Sequence, residues 1–247
     1  MTVCQNKHQP GMKALKSSGI SFPGLSPVAV LLLVALSFPL NVNAQRQDFR
    51  TWWSADISKE IINNLEANVE LEQRWRNNSL RYDRSLITAS LQYEIINDLD
   101  IEGGYRYIVL NDDLRAIATS YRFHGDLSYG YGLSRFDFKV RSRLQYGFDD
   151  LNSLEDYRLN KLTNRNKFSL EYDVFGKPFS FFASYEFFLR LDNAVPARLS
   201  DHRFETGIEY DLSFKSSLEF SYMFDQEVNQ SNPLQSHILV FSYGYTL

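Results

Sequence analysis

The chain has 247 residues and a formal net charge of −4, with 44% hydrophobic and 15% aromatic residues. Its mean hydropathy is negative, which excludes a bundle of transmembrane helices. Because the balance is acidic and no stretch is rich in Lys or Arg, the sequence lacks the basic surface that nucleic-acid binding requires.

Residues 1–44 have the features of a secretory signal peptide. Three lysines and no acid precede the apolar run 28–40, VAVLLLVALSFPL, and Val42-Asn43-Ala44 supplies small residues for cleavage after Ala44. An N-terminal membrane anchor is the alternative interpretation of this run. The only cysteine, Cys4, would leave with the signal, so the exported domain, residues 45–247, would contain no disulfide.

The rest of the chain repeats one pattern, in which apolar or aromatic residues alternate with charged ones at a period of two. In the segment LEANVELEQRWR, for example, Leu65, Val69 and Leu71 alternate with glutamates. This period is typical of β-strands with one apolar face. The alternation blurs at 179–192, where both faces carry aromatic residues. We predict eleven strand segments, near 47–58, 65–76, 83–96, 99–109, 119–131, 135–148, 163–174, 179–192, 201–212, 217–228 and 236–247.

The length of these segments favours a membrane barrel. They are about 11–13 residues long, whereas strands of soluble proteins have about 5–6 residues and transmembrane strands about 9–11. Short turns near 96–98, 132–134, 175–178 and 213–216 alternate with longer links, as in outer-membrane barrels. A soluble β-sandwich with a charged face is the alternative. The predicted fold class is an all-β, transmembrane, antiparallel up-and-down barrel of about 10–12 strands.

The two faces of such a barrel have different surroundings. A sheet in hydrocarbon must close on itself to pair its backbone polar groups, so the apolar face contacts lipid and the charged face lines the lumen. Because unpaired charge there is costly, we expect an interlocked ionic network and a largely plugged lumen. The predicted network consists of Glu66, Glu70, Glu72, Arg74, Glu102, Arg106, Arg122, Asp137, Lys139, Arg141, Arg143, Arg165, Glu171, Arg203, Glu205 and Glu209.

The strand count raises a question of parity. Single-chain bacterial barrels have an even number of strands, and the pattern gives eleven. We therefore expect a ten-stranded wall from Leu65 to Leu247, with residues 45–58 inside or beneath it. Twelve strands, with one short strand unrecognised, is the alternative.

The last segment, HILVFSYGYTL, resembles the C-terminal strand that outer-membrane assembly machinery recognises. Its apolar face carries Phe241, Tyr243, Tyr245 and Leu247, although Leu replaces the usual terminal Phe. The expected location is the bacterial outer membrane, and the expected partners are its lipid and the assembly machinery. The sequence leaves the oligomeric state open.

Four stretches together carry a family resemblance: QDFRTWWSADISKEI, LEANVELEQRWRNN, LQYEIINDLDIEGGYRY and RFHGDLSYGYGL. With these stretches the chain resembles the uncharacterised outer-membrane proteins grouped as domain of unknown function 2490, frequent in Bacteroidota. The resemblance spans essentially the whole exported domain. It implies the fold and the location, and it supplies no activity and no catalytic residues.

Residues able to carry out catalysis are few. His124 and Asp126 share a face with Ser120, but alternate residues of a strand are about 6.6–6.8 Å apart, so a hydrolase triad would need a neighbouring strand. His202 points outward by alternation, as the base of a lipid-modifying hydrolase would. A lumen histidine and a headgroup-level histidine are the simpler interpretations of these two residues.

No metal or cofactor signature is present. The pairs Asp112-Asp113 and Asp149-Asp150 in long links could bind Ca²⁺, but solvated loop residues are the commoner case. The sequence thus predicts an outer-membrane barrel with a structural or small-solute role. A lipid-modifying hydrolase and a small diffusion pore are the alternatives.

Overall fold

A computed structural model describes residues 46–111, 117–149, 160–191 and 198–247. The predicted signal peptide, residues 1–44, and the predicted loop acids Asp112, Asp113 and Asp150 lie outside these ranges, and so does the side chain of Asp149. The strands are β1 (Arg46–Ile62), β2 (Leu65–Arg76), β3 (Arg81–Ile96), β4 (Leu99–Leu110), β5 (Ala118–Leu133), β6 (Phe136–Asp149), β7 (Asn160–Asp173), β8 (Phe179–Arg190), β9 (Arg198–Ser213), β10 (Ser216–Glu227) and β11 (Leu234–Thr246). No helix within these ranges is long and apolar enough to cross a membrane.

The eleven strands form one closed barrel, which confirms the predicted all-β barrel class. Successive strands pair antiparallel from β1 to β11, and β1 then pairs with β11 in parallel. The parallel register runs from Arg46 opposite Leu234 to Ser58 opposite Thr246. Every strand therefore has two partners, and no sheet edge is left with unpaired backbone groups.

The closure corrects the predicted strand number. The expected ten-stranded wall is wrong, and so is the twelve-stranded alternative, because β1 is a full wall strand between β2 and β11. A parallel closing pair removes the parity constraint, since it joins two strands that run in the same direction. The fully antiparallel arrangement is likewise wrong at this one pair.

The connections divide the barrel into two rims, as the sequence predicts. At one rim the turns are tight and use a residue with positive φ, at Asn64, Asp98, Ser134 and Gly176. Asn, Asp and Gly adopt this conformation at low cost, which explains their use there. We call this the short-turn rim. The opposite, long-link rim holds the ends of β2, β4, β6, β8 and β10 and also the start of β1.

The two faces of the wall differ as the alternation predicts, and two adjacent tryptophans illustrate the difference. Trp53 is 51% exposed on the outer face, whereas Trp52 is 6% exposed inside the barrel. The outer face carries a continuous set of exposed apolar side chains, including Leu71, Val140 and Phe204. The interior is not wholly polar, however, because Trp52, Met223, Ile238 and Val240 form a buried cluster on β1, β10 and β11.

Candidate functional site

The lumen is the candidate site, because the interior faces of the strands bring the predicted charged residues together. By strand parity, all sixteen residues of the predicted network lie on the interior face. They do not all interact. Most form close ion pairs, whereas Lys139 and Asp137 are exposed and lie toward the short-turn rim.

Glu186 on β8 is the centre of the largest ion cluster. Arg165 donates to both of its carboxylate oxygens, at 3.1 and 2.9 Å. Arg141 donates to one of them at 3.0 Å, and an Nη of Arg203 lies 3.7 Å away. The side chain of Glu186 is only 3% exposed, so three guanidinium groups compensate one carboxylate that water barely reaches. The arrangement holds β6, β7, β8 and β9 together through their interior side chains.

A second cluster links β4, β5 and β6. Arg143 binds both oxygens of Asp126, with donor distances of 2.6–2.9 Å. Glu102 lies 3.6 Å from the same arginine and 3.0 Å from Nε2 of His124. Gly104 makes this geometry possible, because a Cβ there would lie 2.3 Å from the His124 ring. His124 and Asp126 are therefore members of an ionic network.

Arginines and aromatic rings form a continuous stack across the lumen. The guanidinium of Arg74 lies 3.6 Å from the centre of the Trp52 ring, and that of Arg203 lies 5.4 Å from the same ring. Arg203 also lies 5.0 Å from the Phe188 ring, and Arg165 lies 4.7 Å from it. The stack thus runs from β2 to β7, and its separations are those of attractive cation–π contacts. We call these five residues the lumen stack.

The sequence analysis did not identify Trp52 and Phe188 as interior residues. A signal was present in both cases. Two adjacent tryptophans cannot both face outward on a strand, and the aromatic residues on both faces of 179–192 required some of them to point inward. Trp52 also belongs to the buried cluster with Met223, Ile238 and Val240, which joins the stack to the apolar part of the interior.

The described part of the wall encloses cavities around these contacts, two of which are lined by charged residues. The larger, of about 620 Å³, is lined by polar and charged residues of nearly the whole wall, among them Arg122, Gln145 and Thr163. The smaller, of about 400 Å³, opens among Glu171, Asp173, Glu209 and Asp211 near the short-turn rim. Within the described ranges, no three His, Cys, Asp or Glu side chains are arranged to hold a metal ion.

The three histidines of the barrel have partners other than a nucleophile. His202 lies on the outer face with its Nδ1 2.6 Å from the Tyr185 hydroxyl, and His237 makes the same contact with Tyr222. His124 contacts Glu102. No serine or threonine hydroxyl of the described strands hydrogen-bonds a histidine. The geometry therefore does not assemble the Ser–His–Asp triad that a hydrolase centred on His124 or His202 would use.

The C-terminal strand β11 contacts its neighbours β1 and β10 through aromatic side chains on the outer face. Phe241 stacks on Trp53 with ring centroids 4.4 Å apart and also contacts Phe220. Tyr243 is exposed on the same face, strand parity puts Tyr245 there too, and Leu247 follows directly after the end of β11. The backbone N–H of Leu247 donates to the carbonyl oxygen of Ser58, 2.9 Å away.

A family model described as "Protein of unknown function (DUF2490)" matches residues 49–236. No functionally curated protein matches the sequence. Among solved structures, the translocator domain of the autotransporter NalP from Neisseria meningitidis is similar with a TM-score of 0.44 and 10% identity, over 77% of this chain and 77% of that chain. Outer-membrane expressed OmpT of Vibrio cholerae gives a TM-score of 0.35 and 12% identity, over 66% and 54%. A bacterial polysaccharide outer membrane secretin gives 0.39 and 9%, over 73% of each chain.

Proposed function

Because the chain belongs to the DUF2490 family, as its motifs predicted, and the family description names no activity, we propose a function from the barrel itself. The protein is an integral outer-membrane barrel with a closed, charge-lined lumen. It is exported with a signal peptide cleaved after Ala44, contacts outer-membrane lipid through its outer face, and presents its C-terminal strand to the assembly machinery. Its role is to hold a polar compartment within the membrane, and it is not an open diffusion pore.

Membrane location is supported by the distribution of apolar side chains. Exposed Leu, Ile, Val, Phe and Tyr residues occur on every wall strand, which is far more exposed apolar surface than a soluble monomer tolerates. The charged residues are on the inside, the reverse of a soluble barrel. A closed sheet satisfies its backbone groups internally, which is the requirement for a β-structure in hydrocarbon.

The lumen stack is the observation that carries the proposal of a closed lumen. Its five side chains span the lumen between β2 and β7, and ion pairs hold its three arginines in place. Arg165 and Arg203 also contact Glu186, and Arg74 contacts Glu72. Opening a water-filled path would break these contacts and leave buried charges unpaired, which is costly.

Two experiments test the two parts of the proposal. Cell fractionation and mass spectrometry should find the protein in the outer membrane with Gln45 as its first residue, and recovery as a soluble periplasmic protein would refute the membrane assignment. In planar lipid bilayers the purified protein should give no steady open-pore conductance. Replacing Trp52 and Phe188 together by Ala should produce such conductance, because it removes both rings of the stack.

The matched control for the second experiment is Phe187→Ala. Phe187 is the neighbour of Phe188 on β8 but points to the outer face, so its loss should leave the conductance at the baseline. A wild-type protein that conducts as an open pore, or a double variant as silent as the wild type, would mean that the stack does not close the lumen.

A further inference from the structure

Arg122 on β5 differs from the other arginines of the lumen. Other interior arginines lie within 4 Å of a carboxylate, among them Arg74, Arg106, Arg141, Arg143, Arg165 and Arg203. Arg122 contacts no acid among the residues that the structure describes. It is half-buried and lines the cavity of about 620 Å³.

The surroundings of Arg122 increase its need for an anion. Arg106 is directly opposite it on β4, and like charges at opposed positions of a sheet destabilise the pair. Arg106 is already engaged, because it donates to Glu70 at 2.9 Å and to Thr88 at 2.7 Å. The largest charge effects on Arg122 come from four other arginines, at 74, 84, 106 and 165. A guanidinium group in a confined space beside several other cations is costly unless an anion joins it.

The wall beside Arg122 leaves room for such an anion. Its neighbour on β6 is Gly147, which has no side chain, and the stem of Arg122 lies over this glycine. One step along the strands, the cavity is lined by Gln145 and Thr163, which are paired across β6 and β7. An amide and a hydroxyl next to a free guanidinium fork are the donors that a phosphate, sulfate or carboxylate group accepts from.

The geometry points to an oxyanion-binding site in the lumen, centred on Arg122. The ligand is a small soluble anion bearing a phosphate, sulfate or carboxylate group, and the cavity volume lies in the range of small-molecule sites. The guanidinium supplies the charge and a bidentate pair of donors. This inference goes beyond the proposed function and does not depend on the lumen being closed.

The test is a calorimetric titration of the purified protein in a non-ionic detergent, with inorganic phosphate and then sulfate, at constant ionic strength. Wild-type protein should bind one anion saturably. Arg122→Gln should weaken the binding at least tenfold, and Arg122→Lys should weaken it less, because Lys keeps the charge but loses the fork. Lys139→Gln is the matched control, because it removes one lumen charge far from the site. Lys139 lies about 26 Å along β6 from Gly147, at about 3.3 Å per residue. This variant should bind the anion as the wild type does.

A second variant, Gly147→Asp, tests the same site by placing an acid of the protein itself beside Arg122. A Cβ at position 147 would lie 3.4 Å from Cγ and 3.8 Å from Nε of Arg122, so Gly147→Asp carries a carboxylate to the guanidinium. It should abolish anion binding and raise the unfolding temperature of the anion-free protein. Because this variant gains an ion pair, we expect it to fold even if Arg122→Gln does not.

Three results would overturn the site. They are no saturable binding by the wild type, unchanged binding by Arg122→Gln and Gly147→Asp, and equal weakening by Lys139→Gln. Binding in detergent does not require insertion in a membrane. A failure here is therefore separate from a failure of the fractionation or conductance experiments, which test the proposed function.

Discussion

The cluster around Glu186 gives the sharpest test of how the barrel interior is stabilised. Glu186→Gln removes one negative charge that is 3% exposed and that three arginines contact. Two of these have a second acid, because Arg141 lies 3.8 Å from Asp126 and Arg203 lies 3.0 Å from Asp225. Arg165 contacts no other carboxylate within the described ranges, so the substitution leaves its buried charge uncompensated.

The expected loss follows from that geometry. Removing one partner of a buried ion pair costs about 3–5 kcal/mol, mostly because the other charge stays buried. The Gln side chain keeps one carbonyl oxygen that can accept from Arg165, so we expect a loss near the lower end, about 3 kcal/mol. A second substitution, Arg165→Met, should restore part of this in the Gln background. The double-mutant cycle then isolates the coupling between the two side chains.

Reversible urea unfolding in lipid vesicles, followed by tryptophan fluorescence, measures these free energies. The control is Glu60→Gln on β1, because Glu60 is an exposed interior-face acid at the short-turn rim, where a change within about 0.5 kcal/mol is expected. Equal effects of Glu186→Gln and Glu60→Gln would show that the cluster around Glu186 does not stabilise the fold and would refute the reasoning.

Three further predictions concern the wall. Leu71→Arg, on the outer face at mid-strand, should cost about 2–4 kcal/mol in vesicle unfolding titrations, whereas Asn68→Arg on the inner face should cost much less; equal costs would reverse the assignment of faces. Gly207→Ala should destabilise by about 1–3 kcal/mol, because its Cβ would lie 2.6 Å from a carbonyl oxygen of β10, whereas Gly103→Ala, with nothing within 4 Å, should be near neutral. An impermeant thiol reagent should label Gln47→Cys on intact cells, because β1 starts at the long-link rim and the long loops of outer-membrane barrels face the cell surface; protection until lysis would contradict that topology.

Much of the wall could be predicted from the sequence because period-two alternation reports which face a side chain occupies. The eleven strand segments and the short turns near 96–98, 132–134, 175–178 and 213–216 match the structure for this reason. The alternation fails as a guide where both faces are apolar. In HILVF, Ile238 and Val240 point inward beside His237 and Leu239, and only the three-dimensional closure decides which pair is enclosed.

The closing strand pair and the partners in the individual ion pairs could not be predicted from the sequence, for a different reason. Alternation gives the faces of a strand but not its partner, so the parallel pairing of β1 with β11 depends on how the two ends of the sheet meet. The same holds for Arg122. Its charge and face were predictable. That no acid of the described strands contacts it depends on Arg106, which reaches across β3 and binds Glu70.

The parallel pairing of β1 and β11 has a consequence for joining the last strand of the barrel to the first. In a barrel with an even strand count, a few residues could connect the last strand to the first, as in any hairpin. Here Leu247 and Arg46 lie at opposite rims, separated by the 13 residues of β11, or about 43 Å at about 3.3 Å per residue. A circular permutant would need a linker of at least about 12 extended residues, and that linker would make a twelfth crossing.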